Sequence, residues 1–131
     1  MIIDTSAVLT ILRAKPEALS YARAIESAER RRISAANFLE AAIVIDGSRD
    51  PVASRRFDEF VAAAGLSIEP VTEEQARVAR DAFRDFGRGS GHPARLNFGD
   101  CFAFALSKVT EEPLLFKGND FAHTDIRPAQ T

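Results

Sequence analysis

The chain has 131 residues, of which 46% are hydrophobic and 27% charged, a balance that supports one folded core and excludes an intrinsically disordered chain. Its formal net charge of -2 excludes a protein that grips nucleic acid through a broad basic surface, so any phosphate contact has to be local. One cysteine, Cys101, and two histidines, His92 and His123, exclude an internal disulfide and supply too few ligands for a Cys/His zinc site.

Met1-Ile2-Ile3 is a short apolar run cut off by Asp4-Thr5-Ser6, after which Ala7, Val8, Ile11 and Leu12 recur at helical spacing. That predicts strand, turn and helix. The start lacks the basic and apolar regions of a secretion signal, and no apolar run approaches the roughly 20 residues needed to span a bilayer. The expectation is a cytoplasmic protein without a membrane partner. Pro16 suits the first turn of a second helix carrying Leu19, Ala22 and Ile25. Ile33-Ser34-Ala35 predicts a brief strand and Asn37 to Ile45 a helix ending at Gly47.

Asp50-Pro51 opens a further helix, with Phe57, Phe60, Val61 and Ala64 on one stripe. Leu66 to Pro70 reads as strand, and Thr72 with Gln75 as a capping box for a helix carrying Val78, Ala79, Ala82, Phe83 and Phe86. Gly87-Arg88-Gly89-Ser90-Gly91-His92-Pro93 is a flexible, locally basic loop. Asn97 caps a helix through Ser107, and Pro113 to Phe116 is a last strand before the turn Gly118-Asn119-Asp120. Alternating strands and helices predict a single α/β domain over residues 1–131, with a mainly parallel sheet covered on both faces.

In such sheets ligands gather beyond the carboxyl ends of the strands, where Asp4 and Asp120 fall. Asp4 also suits a helix N-cap. Glu40 and Asn37 stand three apart in an otherwise apolar helix, which places a carboxylate and an amide on one face. Asp100 lies in the apolar segment Asn97-Phe98-Gly99-Asp100-Cys101-Phe102, where it also suits the first turn of a capped helix. Cys101 reads as a small buried hydrophobe.

Two carboxylates about 4 Å apart repel by roughly 4 kcal/mol at an effective dielectric near 20, so a cluster of acids takes up protons or holds a cation. All-oxygen ligation points to Mg²⁺ or Mn²⁺, whose usual substrates carry phosphate. The Ser6 hydroxyl, two residues after Asp4, can hold a carboxylate or a nearby water in place. Arg88, Arg95 and Lys117 flank these acids in sequence and are candidates for substrate phosphate.

The set Ile2-Ile3-Asp4-Thr5-Ser6, Glu40, Asn97-Phe98-Gly99-Asp100-Cys101-Phe102 and Leu114-Leu115-Phe116-Lys117-Gly118-Asn119-Asp120-Phe121 resembles the PIN-domain ribonucleases, more narrowly the VapC-type toxins of toxin-antitoxin pairs. The resemblance covers essentially the whole chain and implies a three-layer α/β/α sandwich. It implies hydrolysis of RNA by metal-activated water, with Asp4, Glu40, Asp100 and Asp120 catalytic and the first three holding Mg²⁺ or Mn²⁺. Relatives carry a hydroxyl and two acids after the last strand, whereas Phe116 and Gly118 stand in two of those places here. Asp120 is then the best fourth acid, with Asn119 in support and Asp125 as a substitute.

The resemblance further implies a homodimer silenced by a cognate VapB-type antitoxin, for which the Phe57, Phe60 and Val61 stripe is either a docking surface or ordinary core. Two rivals follow from the residues. A haloacid-dehalogenase-type phosphatase also begins with a strand and an Asp, but needs a second Asp where Ser6 stands. A catalytically silent PIN-like binding module would keep the fold and lack the chemistry.

Overall fold

A computed structural model describes residues 1–131. Four short strands, β1 (Ile2–Ile3), β2 (Arg32–Ser34), β3 (Ser67–Glu69) and β4 (Leu114–Leu115), form one sheet in the order β3-β2-β1-β4. Every pairing is parallel. Six helices connect or flank them: α1 (Thr5–Leu12), α2 (Ala18–Ser27), α3 (Ala35–Asp46), α4 (Pro51–Ala63), α5 (Glu73–Phe86) and α6 (Phe98–Thr110).

The layering follows from the two-residue period of a strand. Ile2 and Leu114 are register partners and join the apolar cluster of Ala82, Leu96, Cys101, Phe104 and Phe121; Ile3 and Leu115, the next pair, join Val8, Ile25, Ile33, Ala41 and Phe57. The sheet therefore has α5 and α6 on one face and α1 to α4 on the other. Both faces are dry, which is why β1 and β4 are apolar at every position. This is the α/β/α sandwich expected from the sequence.

Helix starts are local and follow the capping residues. Asp4, Ser34, Asp50, Thr72 and Asn97 each accept a hydrogen bond from a backbone N–H in the first turn that follows. Because Asp4 and Ser34 cap directly after β1 and β2, those strands turn into α1 and α3 without a connecting loop. This cap explains a small shift in boundaries: β2 ends at Ser34, and α3 begins at Ala35 instead of Asn37. Pro16 lies in the turn before α2, which starts at Ala18, because Glu17 takes the N-cap position.

Packing decides between the two readings of the α4 stripe, and hydrogen bonds define the loop after α5. Phe57 is 3% exposed and sits in the core with Phe60, Val61 and Ala64 packed around it, so the α4 stripe is interior and not a docking surface. The loop from Gly87 is held at both ends: Arg88 N–H donates to the Leu96 carbonyl at 3.0 Å and Leu96 N–H to that of Phe86 at 2.9 Å. Gly89 and Gly91 have φ of 87° and 86°, which glycine alone adopts readily.

Candidate active site at the carboxyl edge of the sheet

Asp4 leaves β1 at its carboxyl end and is only 3% exposed. Its Oδ2 accepts from the Ser6 backbone N–H at 3.0 Å and from the Ser6 hydroxyl at 2.6 Å, while Oδ1 has no hydrogen bond. The helix cap and the candidate acid are thus the same group, working through different oxygens. Burial, more than any other influence, pushes the Asp4 carboxyl up to about 7; the Ser6 bonds pull it down, and the charges of Asp100 and Glu40 push it further up.

Glu40 reaches the same place from α3. Its Oε1 accepts from the Thr5 hydroxyl and, at 3.3 Å, from the Asn37 amide, leaving Oε2 without a hydrogen bond. Asn37 is fully buried and also donates to the Gly99 carbonyl at 3.0 Å, so one amide ties α3 to the first turn of α6. The Asn37 Oδ1 is buried without a partner.

Asp100 completes a reciprocal capping box: the Asn97 side chain accepts from the Asp100 N–H at 2.9 Å, and Asp100 Oδ2 accepts from the Asn97 N–H at 2.9 Å. Burial raises the Asp100 carboxyl above its ordinary value; the Asn97 bond and Arg88 lower it, and Asp120 and Glu40 raise it. Asp4, Glu40 and Asp100 therefore feel one another, and each keeps one oxygen anchored and one free.

Asp120 is exposed and heads the short turn Phe121–His123. Its charge reaches Asp100, whereas Asp125 pairs with Lys108 in the last turn of α6, about 12 Å along that helix from Asp100. Asp125 is thereby turned toward Lys108, while Asp120 is the acid whose charge reaches Asp100. The side chain of Asn119 is exposed and makes no hydrogen bond, so the structure gives it no link to the acids.

Among the candidate cations, Arg88 is felt by Asp100. Arg95 is exposed and unpaired, with a left-handed φ of 51°. The Lys117 ammonium lies 2.9 Å from Glu17, holding that carboxyl below its usual range, and only its backbone N–H touches the site, donating to the Ser6 hydroxyl at 2.9 Å. Lys117 also lines a cavity of about 210 Å³ with Ser6, Leu9, Thr10, Arg13 and Lys15. Thr5 and Gly99, which stand against Glu40, are the neighbours of these acids that sequence reasoning missed, and Arg13 and Lys15 line the adjoining cavity. Thr5 and Gly99 were marked only by standing beside the acids Asp4 and Asp100.

The donors suit a hard divalent cation, being carboxylate oxygens from three elements with free acceptor capacity. No three acidic, histidine or cysteine side chains lie within common reach of one ion. The three carboxylates as they stand therefore do not form a closed ligand set. Cys101 stays outside this chemistry: its thiol is buried, donates to the Asn97 carbonyl at 3.3 Å, and is pushed up to about 11 by burial and then by Asp100.

An all-parallel sandwich with acids gathered at the carboxyl edge of its sheet defines a class, and the model of the PIN domain matches residues 1–127: the chain belongs to the PIN-domain family. Within it, the chain is 57% identical over 129 residues to Ribonuclease VapC28 of Mycobacterium tuberculosis, covering 98% of this chain and 97% of that protein. It is 48% identical over 131 residues to Ribonuclease VapC42 of the same species, covering 100% of each. Among solved structures, M. tuberculosis VapC20, described as a sarcin-ricin loop cleaving toxin, superposes with a TM-score of 0.73 at 16% identity over 95% of each chain. A toxin-antitoxin complex from Klebsiella pneumoniae gives 0.66 at 18% identity over 92% of this chain and 89% of that one. At these identities the two structures share the fold.

Proposed function

We propose that the chain is an endoribonuclease that depends on Mg²⁺ or Mn²⁺ and acts as the toxin of a toxin-antitoxin pair. One observation carries the reading: Asp4, Glu40 and Asp100 come from three separate elements yet lie near enough for Asp100 and Glu40 to raise the Asp4 carboxyl, each with one carboxylate oxygen anchored and the other without a hydrogen bond. The names of the relatives support ribonuclease activity for this chain.

In this reading Asp4 and Asp100 would hold the ion with Glu40 beside them, and Asp120 would support the outer edge of the site. The chemistry that a divalent ion held there would supply is acidification of a water for attack and neutralisation of charge on the scissile phosphate. Ser6 keeps the Asp4 carboxylate in one orientation, and Thr5 does the same for Glu40. Arg88, with Arg13 and Lys15 on the Ser6 side, supplies the local positive charge that phosphate requires in a chain of net charge -2, and Lys117 adds to it only when released from Glu17.

The partners follow from the surface. Phe98 is 78% exposed, and with Leu39, Ile43 and Val44 it edges an apolar groove reaching Phe102. A patch of this kind on a small chain favours association, and we assign it to a second copy, with a VapB-type antitoxin covering the remaining apolar surface. The structure has no helix long and apolar enough to cross a membrane.

Ser6 donates to Asp4 where a phosphatase of the haloacid dehalogenase type needs an acid, which disfavours that alternative. The test is cleavage of total cellular RNA by purified protein, with Mg²⁺ or Mn²⁺ and with chelator, followed by mapping of the cut ends. Metal-dependent internal cuts that vanish in Asp100→Asn are expected. Intact RNA under all conditions would leave a silent binding module.

A further inference from the structure

Gly99 occupies the second position of α6, where its backbone is ordinary helix; the glycines with positive φ are Gly65, Gly89, Gly91 and Gly118. No dihedral demand calls for glycine at this position, and in a helix glycine is less favourable than alanine. Space is the remaining explanation. A Cβ built on Gly99 would stand 2.8 Å from both Cδ and Oε1 of Glu40 and closer still to Oε2, and these are its three nearest atoms. Gly87 differs, since a Cβ there would strike the Phe83 backbone carbonyl and ring, making that glycine a matter of chain packing.

We propose that Gly99 is a positioning residue whose missing side chain is the space in which the Glu40 carboxylate rests against the first turn of α6, next to Asp100. A carboxylate at the end of a flexible side chain can withdraw without disturbing the backbone, so the fold tolerates a methyl group at this point. What it does not tolerate is Glu40 in its present place. Withdrawal breaks the bonds that Thr5 and Asn37 make to Oε1, while Asn37 stays tied to the Gly99 carbonyl. The consequence for cation binding rests on the reading of the site given above; the contact between Gly99 and Glu40 does not.

Four proteins decide it: the native chain, Gly99→Ala, Glu40→Ala and the double variant. Each is followed by thermal unfolding in chelator and by calorimetric titration with Mn²⁺. In the Glu40→Ala background, Gly99→Ala is expected to raise Tm by about 3 °C, the ordinary gain of alanine in a helix. In the native background that gain is absent. Mn²⁺ affinity falls at least ~10-fold in Gly99→Ala with circular dichroism unchanged, and Gly99→Ala adds no further loss to Glu40→Ala.

Equal Tm changes in the two backgrounds would overturn the proposal, as would native Mn²⁺ affinity in Gly99→Ala. A Gly99→Ala protein that fails to fold alone but folds with Glu40→Ala supports it, and failure in both backgrounds overturns it. Should the native protein neither bind Mn²⁺ nor cut RNA, the reading of the site fails, and the comparison of Tm values still decides the contact.

Discussion

The Ser6 hydroxyl bridges two strand ends: it donates to Asp4 Oδ2 at 2.6 Å, just after β1, and accepts from the Lys117 N–H at 2.9 Å, just after β4. A single hydroxyl thus fixes both the rotamer of a buried acid and the path of the chain toward Asp120. Ser6→Ala removes a bond that favours the ionised carboxylate, so the Asp4 pKa rises further. Cleavage is expected to fall about 10–100-fold, as for other groups that orient a metal ligand, and the rising limb of the pH-rate profile should move to higher pH. An unshifted limb would separate Ser6 from Asp4 ionisation.

Asp4→Asn separates the two duties of that residue. Asparagine is as good an N-cap as aspartate, so α1 should start normally, while the buried charge disappears. At pH 8 without metal, chemical denaturation should find this variant more stable than the native chain, with RNA cleavage abolished. A destabilised variant would mean that the carboxylate is better solvated than its burial implies.

The pH dependence follows from the same group. Asp4 has a folded pKa of about 7 against an unfolded value of 3.8, so between those values the folded chain binds more protons than the unfolded one. Stability without metal should therefore fall as pH rises from about 4 to 7, on this group's account, and level off above. Cation binding has to displace that proton, so calorimetry should find Mn²⁺ affinity about tenfold higher at pH 8 than at pH 6. Equal affinities at the two pH values would contradict an Asp4 pKa near 7.

Asn37 donates hydrogen bonds to both Glu40 and the first turn of α6. Asn37→Ala removes one bond to the Gly99 carbonyl, which keeps its place in the helical ladder of α6, at a cost of about 0.5–1.5 kcal/mol in denaturant unfolding. Because Glu40 keeps only its Thr5 bond, activity should drop further than stability does. Asn37→Asp should be worse for metal-free folding, since it sets a third carboxylate against Glu40.

For the RNA path, Arg13→Ala with Lys15→Ala is compared with Arg95→Ala in binding by a catalytically dead Asp100→Asn background. Each lost phosphate contact lowers the slope of log affinity against log salt by about 0.7 for single-stranded substrate. The double change should flatten the slope; Arg95→Ala, at an exposed position beyond the cavity that Arg13 and Lys15 line, should leave it unchanged. The opposite ranking would move the RNA to the loop after α5.

The boundaries of the elements were legible along the chain because their causes are local. A cap such as Asn97 with Asp100 is completed within three residues, and the alternation of apolar runs with helical spacing is set by neighbours. Glu40 and Asp100 stood out because acids in apolar segments need a reason to be there, and Asp4 and Asp120 because they follow strands, while their membership of one set was implied by the family resemblance. Tertiary structure alone decided which of the remaining groups join them. Asn37 meets Gly99 across 62 positions and Thr5 meets Glu40 across 35, and no local pattern encodes such a distance. The same holds for Asp125, drawn to Lys108, and for the fates of Phe57 and Phe98, one interior and one exposed. An apolar residue's environment depends on what the opposing layer presents to it, and that is settled only when the layers meet.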